Sequence, residues 1–307
     1  MKQPHSPVLL NESIKLLVNN KAGKYFEATM GFGGHTEGIL EKLNSDGIVV
    51  STDVDINAFS FCKEKFKNDK RVKIYKFNFS LVDVIAKIDS IEFFDGILAD
   101  LGVSSFQLDD SAAGFSYSSN TDLDLRLDKN LRKTAADILN EESESALANI
   151  IYEFGEEKNS RRIAKAICKM REIKKITKTE DLKEIISSVT NARYLVKTLS
   201  RVFQALRIYV NEELNILRTF LENSMDVLGK GGRLVIISYH SLEDRIVKEF
   251  FKYESLSCIC PKESPVCTCG KERRLKILTS KPITPTANEL QMNKRARSAK
   301  LRAAERI

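Results

Sequence analysis

Apolar residues in the first hundred positions fall in short runs separated by helix-like stretches. Lys24–Thr29 (KYFEAT), Ile48–Thr52 (IVVST), Val72–Phe77 (VKIYKF) and Phe94–Leu101 (FDGILADL) read as strands. Between them, His35–Leu43, Ile56–Phe66 and Leu81–Ile88 read as helices. This alternation predicts a parallel sheet with helices on both faces. The rhythm stops near residue 109. Residues 109–197 hold no convincing strand and are polar, helix-prone and often basic. Phe203, Leu206, Val210, Leu214, Leu217 and Leu221 then recur at spacings of three and four, which predicts one long helix over Phe203–Leu228 that Gly229–Gly232 ends. Arg233–Ser238 (RLVIIS) reads as a fifth strand. Ser241–Tyr253 reads as a helix capped by Ser241, with Asp244 in its first turn. Leu275–Leu278 and Ala299–Ala303 are candidate closing strands. We see no internal repeat and no low-complexity tract. The expected fold is α/β, a doubly wound, mostly parallel sheet built from 1–108 and 198–307, with an inserted helical domain over 109–197.

The chain has 307 residues, 42% of them hydrophobic, so a sizeable core is available. Its net charge of +7 permits a polyanionic partner. No stretch reaches the ~18–20 apolar residues of a membrane span, and MKQPHSPVLLNESIKLL has neither a long apolar core nor a small-residue cleavage site. We therefore expect a cytoplasmic protein with no membrane partner. Four of the six cysteines crowd into CICPKESPVCTC. In a reducing compartment such crowding points to metal or to free thiols rather than disulfides. Cys258, Cys260, Cys267 and Cys269 make two C-x-C pairs, and Pro261 and Pro265 suit a loop that folds back to bring the pairs together. A structural zinc is the metal to expect from four thiolates; four free thiols in a flexible loop are the other reading. Cys62 and Cys168 sit in helical patterns and read as small apolar residues.

EATMGFGGHTEGIL, Glu27–Leu40, places glycines between the first strand and the first helix. Glycine serves where backbone turns tightly or approaches a ligand. In open parallel sheets, ligands bind at the carboxyl ends of strands where the connection order reverses. Asp53 ends the second strand about 20 residues after the glycines, the spacing at which an acid meets a ribose hydroxyl, and Asp55 is close by. Counting from Gly31, a dinucleotide fingerprint has Gly33 in third place but Thr36 where its last glycine belongs. An adenosyl cofactor without a pyrophosphate fits better, and an ordinary strand-to-helix turn is the structural alternative. Asp100, ending the fourth strand in ILADLGVSSFQLDD, faces the same cleft, or is a helix cap or a solvated strand end. Phe79, after the third strand, suits stacking on an adenine or a place in the core.

The stretches HSPVLLNES, ATMGFGGHT, DGILADLGVSSFQLDD, FQALRIYVNEEL, ISYHSLEDRIVK and RARSAKLRAAER together resemble the bacterial 16S ribosomal RNA cytosine N(4)-methyltransferase family, nearly from end to end. The resemblance implies a class I methyltransferase fold with an inserted helical domain. It implies S-adenosyl-L-methionine as cofactor and, as substrate, the exocyclic amine of a cytidine in the decoding centre of 16S ribosomal RNA, within the small ribosomal subunit. Motif by motif, it places cofactor contacts on Gly33, Gly34, His35, Asp53, Phe79, Asp100 and Gln107. Two departures stand out. The family usually reads Arg-Gly-Phe-Ser-Phe where this chain has Ala113-Gly114-Phe115-Ser116-Tyr117, and the following NTDLDLRLD lacks the usual Gly-Pro. A substrate contact by arginine at position 113 is therefore lost or relocated.

For such a reaction Asp100 is a candidate to orient the amine, to hold the cofactor, or both. His240, after the fifth strand, either faces the cytosine or is a structural histidine bonded to backbone. Lys158–Lys178 carries nine Lys or Arg against one acid, either an RNA-phosphate face, with Arg161, Arg162 and Lys165 as candidates, or a solvated basic helix. Two rivals are a nicotinamide-linked oxidoreductase, which Thr36 counts against, and a non-catalytic ribosomal RNA-binding assembly factor, which the intact Gly33, Gly34, Asp53 and Asp100 set counts against.

Overall fold

The computed structural model describes residues 7–102, 120–261 and 266–307. The chain divides into two units, Met1–Gly102 with Asn215–Ile307, and Val103–Leu214. The first limit lies near the expected 108, at the edge of residues outside the described ones, and the second differs from the expected 197 for a reason that lies in the long apolar stripe.

The first unit is built on a seven-stranded sheet of order β3-β2-β1-β4-β5-β7-β6. The strands are β1 Lys24–Glu27, β2 Ile48–Thr52, β3 Val72–Tyr75, β4 Phe94–Asp100, β5 Leu228–Ser238, β6 Leu275–Ile277 and β7 Lys300–Arg306. β1 to β5 pair in parallel, and β7 runs antiparallel between β5 and β6. The expected doubly wound, mostly parallel α/β fold is present. Strands covered on both faces read as continuous apolar runs, which is why the inner ones were visible in the sequence. Tyr25, Phe26, Val49, Val50, Ile97, Leu98 and Leu234–Ile237 are all buried. Phe26 and Phe94 meet with ring centroids 5.5 Å apart. Truncating a buried ring of this kind to alanine costs ~3–5 kcal/mol.

Helices α1 Leu10–Leu17, α2 Gly34–Leu40, α3 Ile56–Lys65 and α4 Val82–Ile88 cover the sheet, and a 3-10 turn over Phe79–Leu81 leads into α4. Sequence reading missed α1, which buries Ile14 and Leu17 in the same core as Tyr25, Leu98 and Val235. Asp55 caps α3 by accepting the Asn57 N–H at 2.8 Å.

The second unit is helical, with α5 Ala135–Glu141, α6 Glu144–Gly155, α7 Ser160–Ile173, α8 Thr179–Val189 and α9 Leu195–Val210. Its only strand-like feature among the described residues is an isolated bridge, Asp122 to Lys178. Leu139, Ile151, Ile163, Ile186, Val202, Phe203 and Leu206 form its core.

The single helix expected over Phe203–Leu228 is two: α9, and α10 Glu213–Val227. Asn211 is buried, accepts the Leu127 N–H at 2.8 Å and donates to the Leu125 carbonyl at 2.7 Å. Glu212 then takes a left-handed φ of 49°. The stripe is continuous in spacing but serves two cores. Phe203, Leu206 and Val210 pack in the second unit, whereas Leu217 and Leu221 belong to the first. That moves the boundary from 197 to 214.

Gly229–Gly232 does not stop a helix. It lies inside β5, where the register with β4 jumps from Phe94–Leu228 to Gly96–Arg233. Helix α11, Ser241–Glu254, is capped by His240 rather than Ser241. The last helix, α12, spans Ala287–Met292.

Candidate functional site

Sheet order reverses between β1 and β4, and the β1–α2 loop with the last residues of β2 and β4 forms the candidate site. The β1–α2 loop is tied to both neighbouring strands: the Ala28 N–H reaches the Leu98 carbonyl at 2.8 Å and the Met30 N–H the Thr52 carbonyl at 2.9 Å. Asp53, just past β2, braces the loop tip. Its Oδ2 accepts the Gly31 N–H at 2.8 Å and its Oδ1 the Asp55 N–H at 2.9 Å.

The glycines in this loop do different jobs. Gly31 has φ 52°, and a Cβ added there would meet nothing within 4 Å. Gly33, the left-handed N-cap of α2 with φ 76°, has no such room: its Cβ would lie 2.6 Å from the Phe66 ring and 3.1 Å from Cys62 Sγ. A Cβ on Gly34 would lie 2.9 Å from Pro7. Gly33 and Gly34 thus let protein approach protein, and Gly31 is the glycine whose open face suits a ligand. Cys62 joins the same packing, its thiol bonded to the Gly31 carbonyl at 3.3 Å and raised by burial to about 12.

Asp100 ends β4 in a defined cradle. Its N–H donates to Thr29 Oγ1 at 2.7 Å, its Oδ1 accepts the Tyr239 hydroxyl at 2.8 Å, and its Oδ2 lies 3.9 Å from His35 Nδ1. His35, in the first turn of α2, is buried; its Nε2 sits 3.2 Å from the Val8 carbonyl and therefore carries the proton. Tyr239 is itself held by Glu243, whose Oε2 accepts the Tyr239 N–H at 2.8 Å and the His240 N–H at 3.3 Å.

Three carboxyls share this end of the sheet. Burial raises Asp100 to about 7, against the Tyr239 bond that lowers it. Burial also raises Asp53 to about 6, against the backbone N–H bonds it accepts. Glu27, the last residue of β1, is raised by burial to about 8, with Thr36 and Ser51 bonds opposing and Asp100 and Asp53 adding to the rise. Its Oε2 is bonded by Thr36 and by Ser51, and its buried Oε1 has no partner among the described residues. Clustered, partly desolvated acids of this kind favour a ligand that brings positive charge.

Phe79 lies in the 3-10 turn before α4, partly exposed, its ring edge-on to Phe220 at 5.0 Å. Gln107 and Ala113–Tyr117 lie outside the described residues. His240 caps α11, its Nδ1 accepting the Glu243 N–H at 3.4 Å, while Nε2 is 3.2 Å from Glu243 Oε1 without the alignment of a hydrogen bond. Of its two readings, these contacts favour the structural one. Arg161, Arg162 and Lys165 stand exposed on α7 in the second unit. Arg171 in the same basic run caps α5 and its following turn, donating to the Leu139 and Glu142 carbonyls at 2.8 and 2.6 Å. Lys174 and Lys178 pair with Asp181 and Asp122. Cys258, Cys260, Cys267 and Cys269 come together in the loop between α11 and β6. Sequence reading did not find Glu27, Thr29 or Tyr239. Glu27 and Tyr239 sit at or just past strand ends, the one signal that marks them.

A family model described as the MraW methylase family matches residues 2–307. A ribosomal RNA small subunit methyltransferase H from Caldicellulosiruptor saccharolyticus is 52% identical over 304 residues, covering 99% of both chains. The protein of the same name from Fusobacterium nucleatum is 44% identical, covering 99% of this chain and 97% of its own. Among solved structures, the chain is similar to a putative rRNA-methylase from Clostridium thermocellum at 12% identity, over 97% of this chain and 93% of that one, with a TM-score of 0.43.

Proposed function

Because the chain belongs to the MraW methylase family, we propose that it transfers a methyl group from S-adenosylmethionine to the exocyclic N(4) amine of a cytidine in 16S ribosomal RNA, within the small ribosomal subunit. The observation that carries the cofactor site is the convergence of Gly31, Asp53 and Asp100 at the sheet's switch point. The donor set fits the group: three carboxyls shifted upward by burial suit a ligand carrying a sulfonium and an ammonium, and Asp53 ends β2 where an acid meets a ribose. When bound, S-adenosylmethionine supplies an electrophilic methyl whose transfer leaves a neutral thioether.

The protein's own part is positioning and charge. Asp53 holds the Gly31 turn and offers a carboxylate edge to the ribose. Asp100 is oriented by Tyr239 and Thr29, so its remaining oxygen has a fixed direction. With its carboxyl near 7, Asp100 is also placed to accept a hydrogen bond from the cytosine amine and localise its lone pair. Holding the amine in line with the methyl is the larger contribution, of a kind that supplies ~7–11 kcal/mol in well-oriented reactions. His240 fixes the start of α11, and Glu243 fixes the backbone of Tyr239. Arg161, Arg162 and Lys165 supply phosphate contacts that position RNA without reading bases. No helix among the described residues is long and apolar enough to cross a membrane. Work on ribosomal RNA places the protein in the cytoplasm. A structural zinc on the four cysteines completes the cofactor set, outside the transfer step.

Transfer of tritiated methyl from S-adenosylmethionine to small-subunit RNA tests the reading. Label on cytidine that disappears in Asp100→Ala supports it. RNA binding without transfer supports the assembly-factor alternative instead.

A further inference from the structure

We propose that Cys258, Cys260, Cys267 and Cys269 hold one zinc ion that fixes the loop between α11 and β6, independently of methyl transfer. The four sulfurs lie within 4.8 Å of one another. Cys258 Sγ is 3.4 Å from Cys267 Sγ and 3.8 Å from Cys269 Sγ. Cys267 Sγ is 3.6 Å from Cys269 Sγ and 3.9 Å from Cys260 Sγ. Zinc–sulfur bonds of ~2.3 Å in a tetrahedron put the sulfurs ~3.8 Å apart. The observed spacings bracket that value and are far longer than the ~2.05 Å of a disulfide.

Backbone donors point at the same atoms. The Cys260 N–H reaches Cys258 Sγ, the Ile259 N–H reaches Cys269 Sγ and the Thr268 N–H reaches Cys260 Sγ, each at 3.4 Å. Hydrogen bonds to ligand atoms are the usual outer layer of a metal centre. Among the described residues, the apolar side chains next to these thiols are themselves exposed. Cys258 and Cys267 are exposed, and the adjoining Ile259 and Val266 are 47% and 70% exposed. Convergence of four sulfurs at the surface therefore needs another cause. Four soft thiolates in a tetrahedron select zinc over magnesium or calcium.

The ion's place in the fold defines its role. Beyond Cys269, the buried Glu254 carboxylate at the end of α11 receives Lys271 Nζ at 3.2 Å and Arg274 Nε at 2.6 Å. The Arg274 N–H also reaches the Glu254 carbonyl at 2.8 Å. The ion gathers the loop, and the Glu254 clamp fastens its far end to the helix from which it left.

Elemental analysis of full-length protein purified without chelator or nickel affinity is the test. The expected result is about one zinc per chain, released by a mercurial thiol reagent. Cys258→Ser with Cys260→Ser should lose at least nine-tenths of it, while Cys168→Ser keeps it. Should the double variant fail to fold, cobalt exchanged into the wild-type chain decides, through the intense visible bands of tetrahedral thiolate coordination. Zinc-free wild-type protein, zinc retained by the double variant, or cobalt without those bands overturns the proposal. None of these readouts depends on methyl transfer, so failure of the catalytic reading leaves the test intact.

Discussion

Replacing Gly31 and Gly33 separately by alanine separates a ligand-facing glycine from a packing glycine. Both have positive φ, 52° and 76°, so both variants carry the ~1–2 kcal/mol of a left-handed L-residue. Only at position 33 does the new methyl collide, 2.6 Å from the Phe66 ring and 3.1 Å from Cys62 Sγ. Phe66 packs against the core of the first unit and cannot swing freely. Overpacking of this kind adds ~1–3 kcal/mol. Gly33→Ala should therefore lose roughly 2–5 kcal/mol and Gly31→Ala only the first part. At ~2–4 °C per kcal/mol for a domain of this size, the midpoint of Gly33→Ala should fall by roughly 4–20 °C in a calorimetric scan, well beyond Gly31→Ala. Calorimetric titration should show the reverse ranking for S-adenosylmethionine. Gly31→Ala, still folded, should bind about tenfold or more weakly, a loss of ~1.4 kcal/mol. Equal midpoints for the two variants, or a Gly31→Ala that binds like wild type, would refute this division of labour.

Because burial raises Asp100 to about 7 and its ionised form attracts a cation, S-adenosylmethionine affinity should climb from pH 5.5 and level off above about 7, with proton release visible as a buffer-dependent heat; a flat profile over that range contradicts the assignment. Glu27 is raised to about 8, so its contribution to stability is present below its unfolded value near 4.3 and is lost as pH rises through about 8. Glu27→Gln should consequently flatten the fall in melting temperature between pH 5 and 8.5 and match or exceed wild type at the upper end, whereas a loss that is constant with pH would show that Glu27 is not protonated in the fold. Changing Arg161, Arg162 and Lys165 together to glutamine should reduce the log–log salt slope of RNA binding by ~2–3 units and leave the melting temperature unmoved, since all three are exposed; an unchanged slope would make this surface a solvated face only.

The sequence carried the sheet because parallel strands buried on both faces cannot hide their composition. IVVST and FDGILADL admit few other readings. It carried Asp53 and Asp100 because strand ends at a switch point have predictable spacing. What escaped it depends on partners distant in the chain. Asn211 breaks the long helix through the backbone of residues 125 and 127, more than eighty positions away. Tyr239 reaches Asp100 across 139 residues, and the room at Gly33 is limited by the ring of Phe66. Ser241 looked like the cap by residue type, but the ring of His240 does that work one position earlier. α1 was missed because its entry runs through Leu9 at φ 52°, with no polar cap to announce it.

Mass mapping of 16S ribosomal nucleosides, from cells lacking the protein and from the same cells with it restored, is the decisive measurement of whether this chain methylates a cytidine amine of small-subunit ribosomal RNA. N(4)-methylation at a single cytidine should be absent in the first, return with the wild-type chain, and fail to return with Asp100→Ala produced at the same level. Unchanged methylation in the absence of the protein, or full restoration by Asp100→Ala, would contradict it.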